Sequence, residues 1–168
     1  MRNRAGKQTV KGISLKYTLE INDQKHLIQS VIELQAYFDE ASKYTYADLS
    51  LSLKCEETPT MVEKVLGQID RLVGVSPINE FSYMGALINR DENAAFLTFT
   101  DERDVSFHSL RSDLSKSAKN NVKFFLGNGQ SDEYPAIQCV QVEQARQAFV
   151  YFFETGKKPN WIHWVSEE

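Results

Sequence analysis

Nine residues, Ile13 to Ile21, alternate without a break. Ile13, Leu15, Tyr17, Leu19 and Ile21 are apolar, while Ser14, Lys16, Thr18 and Glu20 between them are polar. A period of two sends these sets to opposite sides of an extended chain, so the segment reads as a strand with one dry and one wet face. Leu49, Leu51, Leu53 and Cys55 repeat the pattern against Ser50, Ser52 and Lys54. A second half-buried strand follows.

Helical spacing appears between and after these strands. Asn22 and Asp23 offer N-caps, and Leu27, Ile28, Val31, Ile32, Leu34 and Phe38 follow at helical intervals. A first helix to about Ser42 is expected, with His26 in its first turn. Thr58-Pro59 reads as the start of a second, whose stripe runs Val62, Val65, Leu66, Ile69, Leu72, Val73 before Gly74. From Phe81 the runs shorten. Phe81–Ile88, Ala94–Thr100, Val105–Leu110, Val122–Leu126 and Ala136–Val140 are β-prone, and turn chemistry separates them ("NRDEN", "DERD", "GNGQSDEYP"). Short links imply an antiparallel meander. The polar segment Arg111–Asn121 reads as an exposed loop or a weakly packed helix.

The chain closes on a helix from about Val142, with Ala145, Ala148, Phe149 and Phe152 facing inward. Gly156 is its left-handed stop and Pro159 prevents resumption. Trp161, His163 and Val165 then alternate with Ile162 and Trp164, as in a short terminal strand. Tyr151, Phe153, Trp161 and Trp164 cannot all face one way, so one of them should lie outside the core. The expected fold is a single α+β domain over residues 13–168, with an antiparallel sheet of about five to seven strands and three principal helices. Residues 1–12 are expected to form a flexible basic arm.

Charge is unevenly spread. Arg2, Arg4, Lys7 and Lys11 fall in the first eleven residues, leaving 15 of the 19 basic side chains to face all 23 acids in the rest. An acidic body disfavours nucleic acid and anionic membrane and favours basic partners, although acidity also simply keeps a protein soluble. No run of about 18 apolar residues is present, so no membrane span is expected. The basic N-terminus lacks the apolar stretch of a secretory signal, which makes the cytoplasm the expected location.

Catalytic signatures are absent. Cys55 and Cys139 form neither a CxxC nor a Cys/His cluster and read as reduced thiols. His26, His108 and His163 show no metal-binding spacing, and Gly127-Asn128-Gly129 fits a hairpin turn better than a phosphate loop. No metal or cofactor is expected. Adjacent carboxylates such as Asp91-Glu92, Asp101-Glu102 and Asp132-Glu133 sit in turns, where solvation makes them poor general acids. Acidic loops at sheet ends suit recognition of a cationic surface instead.

The closing stretch "VQVEQARQAFVYFFETGKKPNWIHW" resembles the C-terminal signature of immunity protein family one of bacterial polymorphic toxin and contact-dependent growth inhibition systems. The resemblance is carried by Ala145, Ala148, Phe152, Phe153, Thr155, Gly156, Pro159 and Trp164. Upstream, "ALINRDENAAFLTFTDE" and "FFLGNGQSDEYP" look like that family's paired central strands and its glycine turn. The resemblance covers about residues 81–165. It implies a non-enzymatic cytoplasmic antidote that binds the C-terminal domain of a cognate toxin, often a nuclease or nucleobase deaminase, and occludes its active site. A basic active-site rim on such a toxin would meet exposed loop residues here: Asp91, Glu92, Asp101, Glu102, Asp104, Asp132, Glu133 and Tyr134. Each also reads as an ordinary solvated turn residue. Two rival readings are a nucleic-acid-binding regulator that uses the basic arm, and a small enzyme whose histidines assemble in space.

Overall fold

The computed structural model describes residues 13–57, 81–111 and 120–167. The expected arm over 1–12, the expected helix over 58–74 and most of the polar segment 111–121 lie outside them. Ten strands and two α-helices run along the described chain: β1 (Ile13–Ile21), β2 (Gln24–Ile28), α1 (Val31–Ala41), β3 (Tyr46–Glu57), β4 (Phe81–Asn89), β5 (Ala94–Thr100), β6 (Ser106–Leu110), β7 (Asn121–Phe125), β8 (Ser131–Pro135), β9 (Cys139–Val140), α2 (Val142–Thr155) and β10 (His163–Ser166).

Eight strands form one antiparallel sheet in the order β10-β6-β5-β4-β3-β1-β2, with β9 joining the free stretch of β5 beside β6. This exceeds the expected five to seven strands, for identifiable reasons. The segment after Ile21 does not begin a helix. Asn22 and Asp23 take positive φ of 45° and 67°, making the tight two-residue turn that reverses the chain into β2. His26 is therefore on a strand, its ring 4.4 Å from that of Tyr37. The helix starts later, at Ser30, whose hydroxyl accepts the Glu33 N–H at 3.2 Å. Leu27 and Ile32, expected on the inward stripe, are exposed at 55% and 74%.

The second departure is at "SDEYP". Polar composition masks a strand here, because β8 pairs only with β7 in a separate two-stranded sheet and buries little. The meander thus covers β3 to β6 and does not continue through β7. Ala136–Gln138 is one turn of 3-10 helix, so the last β-run shrinks to Cys139–Val140. The Gly127–Gly129 hairpin is as expected, with Gly129 at φ 83°.

Both helices cover one face of the main sheet. Leu19, Leu49, Leu51, Met84, Ile88, Leu97 and Phe99 meet Leu34 and Phe38 of α1 and Ala145, Ala148, Phe149 and Phe152 of α2. Phe38 and Phe149 meet edge-on at 5.6 Å, and Phe99 and Phe152 at 5.9 Å. Each fully buried phenylalanine contributes roughly 1.5–3 kcal/mol through burial. The α2 N-terminus is closed by reciprocal Gln141–Gln144 bonds, and Gly156 ends it at φ 68°. Trp164 packs against Phe99 and donates its indole N–H to the Pro159 carbonyl at 2.8 Å, whereas Trp161 is the half-exposed member of the closing aromatics. Among the described residues no helix is long and apolar enough to cross a membrane.

Candidate functional site, a polar sheet face with an acidic border

Alternation fixes what the other face carries. Opposite the helices, cross-strand register lines up Leu27, Thr18, Ser52, Tyr83, Thr100 and Ser106 across β2, β1, β3, β4, β5 and β6. The adjacent row is Lys25, Glu20, Ser50, Gly85, Thr98 and His108. The next row includes Asp48, Leu87 and Phe96. This last row carries adjacent apolar side chains at Leu87 and Phe96, and the β7–β8 hairpin lies on it. Val122 and Phe124 of the hairpin are buried there with Ala94, Phe96 and Cys139, and Leu87, Tyr134 and Ala136 pack around them. Burial pushes the Cys139 thiol up to about 12. His108, at the end of the second polar row, stacks on Phe96 at 6.1 Å, and no other residue of the two rows belongs to this second core.

Local geometry keeps the polar rows flat. The Tyr83 hydroxyl lies 3.1 Å from Thr98 Oγ1, and Thr100 Oγ1 lies 3.1 Å from Ser106 Oγ. Gly85 makes the first contact possible: a Cβ there would stand 2.6 Å from Thr98 Oγ1 and 3.3 Å from the Tyr83 ring. The tyrosine therefore extends along its own strand over a residue without a side chain.

Carboxylates border this floor. The Asn22-Asp23 turn is fixed to β3 by Asn22 N–H to the Asp48 carbonyl at 2.9 Å and Asp48 N–H to Asn22 Oδ1 at 3.0 Å. Glu20, Asn22, Asp23, Asp48 and Ser50 line a recess of about 160 Å³. Burial raises the pKa of Asp48, the Gly127 N–H that it accepts at 3.1 Å opposes this, and the charges of Asp23 and Glu20 raise it further. The Tyr134 hydroxyl is raised first by burial, then by Asp132, Glu167 and Asp48. Negative potential thus gathers along the edge of the floor where the β1–β2 turn meets the hairpin. Lys25 lies 3.6 Å from Glu20 on the surface, and register places Lys16 and Lys54 in the row beyond Thr18 and Ser52.

The eight expected contact residues separate into two groups. Asp91 and Glu92 are exposed in the β4–β5 turn, and Asp132, Glu133 and Tyr134 are on β8. Buried Asn89 ties these two places together. It donates to the Lys123 carbonyl at 2.9 Å and accepts the Glu92 N–H at 3.1 Å. Asp101, Glu102 and Asp104 lie beyond the other end of β5, roughly 20 Å away at about 3.3 Å per residue. Glu102 and Asp104 are exposed, but Asp101 is not a solvated turn acid. It is buried, accepting the Arg103 and Val105 N–H groups at 3.0 and 3.1 Å and the Arg103 guanidinium at 2.7 Å. Its role is to hold the turn.

Sequence reasoning passed over Glu20, Asp23, Asp48 and Glu167. The available signal was the wet half of the β1 and β3 alternation. His26 is remote from the other two, whereas His108 and His163 lie on adjoining strands, two residues apart in register. His108 Nδ1 meets Glu167 Oε1 at 3.4 Å, outside the two recesses. His163 lines a second recess of about 300 Å³ with Arg111, Gln141, Gln144 and Trp161, and no carboxylate lines it. Among the described residues no three His, Cys, Asp or Glu side chains group as metal ligands.

No curated protein matches the chain. A family model described as immunity protein Imm1 matches residues 23–166, taking in α1 and β3 as well as the C-terminal half in which the resemblance was legible. The chain belongs to the Imm1 family of immunity proteins.

Proposed function

We propose that this protein is the antidote to a cognate toxin domain, and that it acts stoichiometrically in the cytoplasm of the protected cell by covering the toxin's catalytic cleft. The family match over residues 23–166 carries the reading. The charge distribution supports the manner of action. A toxin that attacks nucleic acid, by hydrolysis or by deamination of a base, must attract a polyanion, so its cleft is bordered by cations. An acidic inhibitor is drawn to that border and excludes the substrate.

Such a complex buries about 1,200–2,000 Å² and, to silence a lethal enzyme, holds at nanomolar affinity or better, about −12 kcal/mol. Asp91, Glu92, Asp132, Glu133 and Tyr134 form one proposed contact region. Glu102 and Asp104 form another, with Asp101 fixing their turn. The test is to co-express the protein with the toxin domain encoded beside it. Rescue of growth and co-purification at one-to-one stoichiometry are expected. Undiminished killing in the presence of folded antidote would end the proposal.

A further inference from the structure

Beyond the second core, the open part of this sheet face is built largely of hydroxyl-bearing side chains. Four of its side chains, Ser50, Ser52, Tyr83 and Thr98, are half-buried, and all four carry hydroxyls. Among the described residues the β7–β8 hairpin packs on this face at the row of Leu87 and Phe96, and the Ala136–Gln138 turn beside it reaches His108 of the next row. Carboxylates border what remains along one side, where the β1–β2 turn meets the hairpin: Glu20 and Asp48 by the turn, and Asp132 on the hairpin.

Resting on the antidote reading, we propose that this face is the primary docking surface, and that its occupant is a lysine- or arginine-bearing segment of the toxin domain. Complementarity of charge selects that occupant. A second copy of this chain would bring Glu20, Asp48 and Asp132 against their own counterparts, and like charges directly opposed cost stability. Nucleic acid is repelled for the same reason. A cationic segment gains from the carboxylates at distance and from the hydroxyls at contact. Every hydroxyl oxygen accepts from ammonium or guanidinium N–H groups, and the Tyr83 ring, flat over Gly85, offers a face on which a planar guanidinium stacks. Six strands at about 4.8 Å spacing give a floor roughly 24 Å across, enough for a loop or a helix end. Leu27, exposed at the end of the first polar row, supplies an apolar margin.

The experiment uses the full chain and the purified toxin domain encoded beside it. Glu20→Lys with Asp132→Lys, and separately Ser52→Arg, alter the open face. Glu40→Lys with Glu154→Lys alters the exposed side of the two helices as a control. Each variant is checked for a native circular-dichroism spectrum before association is measured at low and high salt. The face variants should slow association about tenfold or more at low salt, with the charge-reversal pair recovering partly at high salt, while the control stays within about twofold. Hydroxyl-radical footprinting of the unmodified complex needs no variant and should show Tyr83 protected. Tight wild-type binding that ignores the face variants and leaves Tyr83 reactive would overturn this surface alone. Absence of any wild-type binding would overturn the antidote reading together with it.

Discussion

The ring of Tyr134 lies on that of Phe96, with centroids 3.7 Å apart and planes inclined by 12°. This stack pins the edge of the β7–β8 hairpin to the main sheet. The Tyr134 hydroxyl is 3.5 Å from Asp132 Oδ2, at the limit of hydrogen bonding, so the ring does most of the anchoring. Tyr134→Ala should therefore lower stability by about 1–3 kcal/mol in urea unfolding, less than a wholly buried aromatic would because Tyr134 is partly exposed. Tyr134→Phe should fall within about 0.5 kcal/mol of the wild type. Equal losses in both would mean that the hydroxyl, not the ring, holds the hairpin.

Gly85 is required by what crosses it. In Gly85→Ala the new methyl meets Thr98 Oγ1 at 2.6 Å, and the Tyr83–Thr98 contact must break. A loss of about 1–3 kcal/mol is expected from the overpacking. Thr98→Ala removes the obstructing oxygen, so the double variant should be more stable than the two single losses predict when added. Strict additivity in chemical denaturation would contradict the clash.

Asp48 is held against its own charge. Its folded pKa is raised by burial and by Asp23 and Glu20, so the folded state takes up this proton at higher pH than the unfolded chain does. The ionised form is thus a cost to stability above the folded pKa. The cost is relieved as pH falls through that value towards the ordinary aspartate value of about 3.9. Asp48→Asn keeps an acceptor for the Gly127 N–H. It should match or exceed the wild type in stability at pH 7 while binding the toxin more slowly, and its stability advantage should shrink as the buffer is acidified through the Asp48 titration. Thermal unfolding from pH 7 to pH 4 checks this, and a variant less stable at every pH would refute it.

Asp101 has the opposite sign. Its bond to the Arg103 guanidinium, with the N–H groups of Val105 and Arg103, holds the carboxyl below the usual range against the opposing effect of desolvation. The stability it contributes is fully present above the unfolded value of about 3.9 and is lost as pH falls through the lower folded value. Asp101→Asn should be less stable than the wild type at neutral pH, and the two should converge in strong acid. Because the side chain holds its own turn, Asp101→Lys would disturb the backbone as well as the charge. Glu102→Lys is the cleaner probe of toxin contact there.

The parts of this fold legible in the sequence are those where one residue's chemistry decides its own neighbourhood. The α2 stripe Ala145, Ala148, Phe149 and Phe152 and the stop at Gly156 are local signals, and the structure follows them. Asn22-Asp23 was ambiguous, because short polar residues both cap helices and accept positive φ, and only pairing of β2 with β1 decides between the two. β8 was hidden because its partner is another short polar strand rather than the core. Among the candidate contacts, the turn positions of Asp91 and Glu92 were readable. The burial of Asp101 was not, since it depends on Arg103 folding back over the turn. The gathering of Glu20, Asp48 and Asp132 depends on strand order, which no local pattern contains.

One sheet with helices on a single side divides the labour of its residues by parity. Along β3, Leu49 and Leu51 are sealed among the helices while Ser50 and Ser52 look the other way. On the proposed docking reading, mutational drift at the even-numbered positions there rewrites which partner is recognised while the odd-numbered ones keep the scaffold standing. A lineage of such proteins can therefore track a changing adversary one alternate residue at a time, without first surrendering its ability to fold.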